Sequence, residues 1–205
     1  MNDLLGEIQN IYINTDDIFE NTRSLFQKYN KINIYNHSKD VSEMGIKSSE
    51  IFENDIQKIK IASYLHDIGG LIPNESKIHF LEDLNIDILE EEREFPLILH
   101  QKISKELARI VFQIYDEEIL NSISCHTTLK ANPSKMDMIL FISDKIKWDQ
   151  KETPPFLEVV EDGLKKSLEN GIKNYLNYVI KNQDKLKIKV FHPWFLNAYE
   201  HFKNT

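Results

Sequence analysis

SYLHDIGG, residues 63–70, sets His66 and Asp67 side by side at the end of an apolar run and follows them with two glycines. In the lead-in, Ile59, Ala62 and His66 recur at helical offsets, so the imidazole shares the face of the apolar residues and points inward. A carboxylate beside an inward imidazole costs free energy unless a positive charge compensates it, so the doublet requires a metal ion or a salt partner. Helical phase in this stretch also decides the fold, because the same period runs through the segments on either side of it.

Six glycines and six prolines are all that punctuate the chain, and between them the periodicity is helical almost throughout. The pattern predicts an all-α fold, a helical bundle, with helices over 16–29, 37–53, 55–68, 75–84, 97–115, 116–127, 135–149, 156–182 and 194–202. Only KLKIKVF at 185–191 alternates like a strand. Phe156, Val160, Leu164, Leu168, Ile172, Tyr175 and Val179 recur every three or four residues and predict one long amphipathic packing helix. A single domain is expected over 1–205, with a core at about 17–150 and a C-terminal helical extension at about 156–203 beyond the boundary DQKETPP at 149–155.

The formal net charge of -8 argues against a surface built to hold nucleic-acid backbones, so an anionic ligand needs a local positive centre. One cysteine, Cys125, excludes an intrachain disulfide and suits a reducing compartment. The N-terminus shows no basic start followed by an apolar run, and no segment approaches the roughly 20 apolar residues needed to span a bilayer. A cytoplasmic protein without a membrane partner is expected. Oligomeric state is left open, a homodimer among the options.

Polar residues on apolar faces recur along the chain. His37 shares a face with Val41 and Met44; His66 follows Ile59 and Ala62; His100 leads Ile103, Leu107 and Ile110; His126 follows Ile119 and Ile123. Asp144 lies in MDMILFISDKIKW, a helix apolar on nearly all sides. Any one such histidine reads as a buried core residue with a hydrogen-bond partner. Five helices each contributing one inward polar group instead suit a metal site assembled from facing helices. Imidazoles with carboxylates leave iron, manganese and zinc open. His79 and His201 read as peripheral, and His192 lies in the loop FHPW.

The order His37, His66 with Asp67, His100, His126, Asp144 resembles the HD-domain superfamily of metal-dependent phosphohydrolases. HTT at 126–128, SKMDMILFISDKI at 134–146 and HP at 192–193 are similar to the YqeK-type branch, the symmetrical diadenosine tetraphosphate hydrolases. That resemblance implies one metal, iron first, held by His37, His66, Asp67 and Asp144, with a second ion as an alternative. It implies catalysis through Asp67, His100 and His126. The phosphates of a nucleotide would meet His100, His126 and Thr127, and Lys130 and His192 are further candidates for substrate contact.

Three positions depart from the family pattern. Ile34 stands where an arginine precedes the first ligand, Gly70 where a lysine follows the doublet, and Gln150 near an arginine after the last ligand. Each removes a cation suited to phosphate, with Lys130, Lys145, Lys147 and Lys151 as candidate replacements. Beside a metal-dependent phosphohydrolase, the sequence leaves open a catalytically silent nucleotide-binding module, a di-iron HD oxygenase and a purely structural helical protein.

Overall fold

Aspartate and serine side chains start several of the helices that build the core. In the computed structural model, which describes residues 6, 8, 17–148 and 150–203, Asp17 accepts from the backbone N–H groups of Phe19 and Glu20 and opens α1, Ile18–Lys28. Asp55 opens α3, Ile56–Leu65, and Asp116 opens α7, Glu117–Cys125, in the same way. Ser134 opens α8, Lys135–Ile146, by a reciprocal pair in which Ser134 Oγ accepts from Asp137 N–H and the Asp137 carboxylate accepts from Ser134 N–H. These caps satisfy donors that the first helical turn leaves unpaired.

Between them lie α2, Ile32–Phe52, and after α3 a 3-10 turn at Ile68–Leu71. Next come a second short turn at Asn74–Ser76, α4 at Lys77–Asp83, α5 at Glu90–Glu94, a third turn at Pro96–Leu99 and α6 at His100–Ile110. After α8 the chain forms α9, Leu157–Leu164, α10, Leu168–Lys181, and α11, Pro193–Lys203. Helix α2 packs on α3 and α8, α3 on α7, α7 on α6 and α8, and α10 joins α8 to the α9 and α11 layer. The core runs continuously from Leu25 and Phe26 through Ile59, Leu107, Ile123 and Phe141 to Phe156 and Ile172. No helix among the described residues is long and apolar enough to cross a membrane.

The all-α expectation holds, and no strand occurs among the described residues. Several boundaries differ. Helix α2 begins at Ile32, so His37 lies inside a helix and not at its start; the first residue of the helix expected over 16–29 lies outside the described residues, as does Asp149 in the 149–155 boundary. The single helix expected over 156–182 is two antiparallel helices. Ser167 adopts extended backbone and its Oγ caps Asn170 N–H, while a Cβ at Gly163 would stand 2.5 Å from Asn170 O. Both helices turn an apolar face to the core, which carries the period across the break. KLKIKVF forms turns and irregular chain, and helix Glu90–Glu94 was not anticipated.

Candidate metal centre

Five elements bring the polar residues together. His37 comes from the second turn of α2, His66 and Asp67 from the C-terminal end of α3, His100 from the first residue of α6, His126 and Thr127 from the end of α7, and Asp144 from α8. Gly69 lets the turn after the doublet press against α6: an added Cβ would clash with His100 O, and Gly69 N–H donates to Ser104 Oγ at 2.8 Å. Its backbone is not left-handed, so close approach rather than helix termination requires this glycine.

Three of the four imidazoles are oriented alike. Nδ1 of His66 donates to Ser63 O at 2.6 Å, Nδ1 of His100 to Leu97 O at 2.8 Å, and Nδ1 of His126 to Ile123 O at 2.8 Å. A carbonyl can only accept, so each ring carries its proton on Nδ1 and presents the Nε2 lone pair to the centre. Asp67 divides the centre in two. Its Oδ2 lies 3.5 Å from His66 Nε2 and 3.8 Å from His37 Nε2, while its Oδ1 lies 3.2 Å from His100 Nε2 and 3.3 Å from His126 Nε2. Asp144 Oδ1 lies 3.0 Å from His37 Nε2 and 3.6 Å from His66 Nε2.

The arrangement calls for positive charge. His66 is fully buried and its Nε2 has no hydrogen-bond partner, though it faces two carboxylates. Donors about 2.1 Å from one ion stand roughly 3 to 3.5 Å apart, close to the separations here, and nitrogen with oxygen is a donor set suited to a divalent transition metal. His37, His66 and Asp67 could hold one ion, with Asp144 beside them, and Asp67, His100 and His126 could hold another. Burial pushes the Asp67 carboxyl up, but the imidazoles of His66, His100 and His126 outweigh it and hold the group well below the usual carboxylate range. Asp144 is likewise held low against burial, by Lys145, His37 and His66.

Without metal, a proton serves instead. Burial lowers the His66 pKa, but Asp67 and Asp144 reverse that and raise it to about 9; burial lowers His126 to about 4. Folding then takes up a proton at His66 between pH 6.5 and 9, so this stabilisation is full below 6.5 and is lost as pH rises. Folding sheds a proton at His126 between pH 4 and 6.5, so stability is lost as pH falls through that window. The metal-free protein is expected to melt highest near pH 6.5 and roughly 5 °C lower at pH 5 and pH 8. Metal loading should remove the alkaline limb, since a ligating imidazole is already unprotonated. Calorimetric scans of both forms check this, and a flat metal-free profile contradicts it.

Two cavities open on the centre. One, about 270 Å³, is lined by His37, Asp67, His100, His126, Thr127 and Asp144 together with Trp148, Gln150 and Phe156. The other, about 380 Å³, is walled by Phe95, Ile98, Val179, Phe191 and Phe195 and by the segment 186–192. His100, Thr127, Lys145 and Tyr175 line both. Thr127 Oγ1 lies 3.1 Å from both His100 Nε2 and His126 Nε2.

The structure therefore brings His37, His66, Asp67, His100, His126, Thr127 and Asp144 into one site and leaves two candidates aside. Lys130 pairs with Asp137 Oδ2 at 3.0 Å and lines neither cavity. His192 lines the larger cavity, but Nδ1 accepts from Trp194 N–H at 3.1 Å and Nε2 donates to Glu92 Oε1 at 3.1 Å, so both nitrogens are engaged. Glu92 is fully buried and also takes Lys102 Nζ at 2.6 Å. Burial raises its pKa, and His192 and Lys102 bring the net shift below the ordinary value. Sequence reasoning missed Gln101, a buried amide whose Oε1 accepts from Thr127 N–H at 3.2 Å and so fixes the turn that carries His126 and Thr127. Gln101 shares the buried side of α6 with Ser104 and Ala108, where no apolar period in the sequence marks it.

Comparison with known proteins identifies the family. The HD domain family model matches residues 34–149, more than half of the chain. An uncharacterized protein in the pepC 5' region of Lactococcus lactis subsp. cremoris is 44% identical over 144 residues, covering 70% of this chain and 72% of that one. A symmetrical bis(5'-nucleosyl)-tetraphosphatase of Staphylococcus aureus is 33% identical over 62% of this chain and 64% of its own length. One from Bacillus subtilis is 25% identical over 72% of this chain and 80% of its own. The crystal structure of a predicted HD superfamily hydrolase involved in NAD metabolism from Clostridium acetobutylicum has the same fold, with a TM-score of 0.81 over 91% of this chain and 97% of that one at 22% identity. The chain belongs to the HD-domain family and is an HD-type hydrolase.

Proposed function

We propose that the protein is a metal-dependent phosphohydrolase acting on a nucleotide or dinucleoside polyphosphate. The observation that carries this reading is the buried His66 Nε2, unpartnered and facing the Asp67 and Asp144 carboxylates at 3.5 and 3.6 Å. His37, His66, Asp67 and Asp144 hold the ion, with iron the first choice and manganese or zinc the alternatives. When bound, such a cation polarises a phosphoryl oxygen and lowers the pKa of water at the site.

The chain's own residues supply the rest. Asp67 and Asp144 are held ionised, which keeps them in the state that ligates. His100, His126 and Thr127 face the mouth from the other side of Asp67 and meet the phosphates, the imidazoles through one proton shared between their Nε2 atoms 3.0 Å apart, which donates to charge that grows in the transition state or protonates the leaving oxygen. Their Nδ1 bonds to backbone carbonyls hold the rings in register for that role. Relatives that bear the name symmetrical bis(5'-nucleosyl)-tetraphosphatase support a dinucleoside polyphosphate as the substrate class.

The departures at Ile34, Gly70 and Gln150 modify that substrate. Ile34 packs against Gly70, where an added Cβ would lie 3.1 Å from Ile34 Cδ1, and Gly70 O accepts from Lys31 Nζ at 2.7 Å. Gln150 lines the smaller cavity as a neutral group. Each lost charge-assisted bond removes roughly 1.5 to 3 kcal/mol where nothing replaces it. Diadenosine tetraphosphate is therefore expected to show kcat/KM about tenfold or more below that of a nucleotide with fewer phosphates. Protein purified without chelator, analysed for metal and screened for phosphate release over mononucleotides, dinucleoside polyphosphates and signalling nucleotides, tests both statements. Absence of metal and of turnover would reject the function; a wide preference for diadenosine tetraphosphate would reject the selectivity.

A further inference from the structure

We propose that Lys145 is the phosphate-contacting cation of this site, placed at the threshold between the two cavities. Its substrate would have a short phosphate bridge at that threshold and an organic group in the apolar cavity. The inference rests on the hydrolytic reading above and goes on to name the group that replaces the lost cations.

Among the described residues that line the smaller cavity, Lys145 is the only lysine or arginine, and it also lines the larger one. The side chain is 14% exposed, so its charge is screened far less than that of a surface lysine. One N–H of the ammonium is committed to Asp144 Oδ2 at 2.7 Å, and the Phe141 ring lies 5.1 Å from Nζ. An ammonium carries three donors, which leaves two for an anion entering from the cavities.

Asp144 splits its oxygens between the two tasks. Oδ1 faces His37 Nε2, and Oδ2 holds Lys145. A phosphate within reach of Lys145 therefore lies one carboxylate away from the imidazole cluster, and no other lysine or arginine among the described residues lines that cavity to hold a longer chain. On the far side of the threshold the walls become Phe95, Ile98, Val179 and Phe191, which suit an apolar ring, and Lys187 and Lys189 add positive charge to the lining. Neither Lys147 nor Lys151 lines either cavity.

The test is calorimetric binding of inorganic pyrophosphate and of ADP to metal-loaded protein, with metal content measured on the same samples. Lys145→Met is expected to weaken pyrophosphate binding about tenfold or more at unchanged metal content, and Lys145→Arg to stay within about threefold of the parent. ADP should bind the parent about tenfold more tightly than pyrophosphate because its ring enters the apolar cavity. Unchanged pyrophosphate affinity in Lys145→Met overturns the proposal. Loss of metal in step with loss of binding also overturns it, since Lys145 would then only position Asp144. Equal affinity for ADP and pyrophosphate removes the apolar-cavity assignment. Should no compound release phosphate while Lys145→Met still loses pyrophosphate, the hydrolytic reading fails and the Lys145 assignment stands.

Discussion

Asp67→Ala is expected to strip the protein of most of its bound transition metal and to slow phosphate release by about a thousandfold or more. The size of the effect follows from position. Asp67 turns one oxygen to His37 and His66 and the other to His100 and His126, so it serves both sides of the centre. Truncation leaves four imidazoles converging with only Asp144 to balance a cation. The fold should persist, because the side chain is 24% exposed at the mouth of a cavity and leaves no sealed void. Elemental analysis of the folded variant, with Asp67→Asn as a shape-preserving partner, reads the outcome. Full metal occupancy in folded Asp67→Ala would remove Asp67 from the ligand set.

The four histidines and Asp144 were legible because each stands on an apolar helical face, where a polar group must find a partner or leave, whereas Asp67 came with the doublet and Thr127 only with the family resemblance. His66 and His126 were reached by phase alone, although both lie one residue past the ends of their helices. What phase cannot carry is a partner distant in sequence. His192 in FHPW gave no hint of Glu92, and Glu92 sits in EEERE, a pentapeptide whose charge reads as solvated but whose central side chain is buried against Lys102 and Leu89 N–H. The long helix failed for a different reason. Two antiparallel helices packed on one core keep the same apolar period, so only Ser167 and the paired Gly163 and Gly171 marked the turn. KLKIKVF alternates like a strand but finds no neighbouring strand to pair with among the described residues, and its apolar and charged residues from Leu186 to Phe191 alike line the larger cavity.

His126→Ala separates two roles that the same geometry allows. His100 and His126 both carry their proton on Nδ1, so two Nε2 lone pairs meet at 3.0 Å, with Asp67 Oδ1 about as close to each. Lone pairs at that distance repel unless a positive charge lies between them, and either a shared proton or a second cation meets the need. With a proton, the pair acts as donor and acid toward phosphate. His126→Ala then keeps its first metal and its fold and loses about 100-fold or more in kcat, the loss expected for a positioned acid or donor. With a second cation, the variant loses one ion per chain, and the protein groups with binuclear HD proteins in which two adjacent metals support chemistry other than hydrolysis. Thr127 favours the first. Its Oγ1 lies 3.1 Å from both imidazoles and its hydroxyl can donate to one of them, which gives the pair a polar contact that needs no metal. We therefore expect unchanged metal-to-protein ratio with collapsed turnover in His126→Ala, and a fall of one ion per chain would move the oxygenase reading into first place.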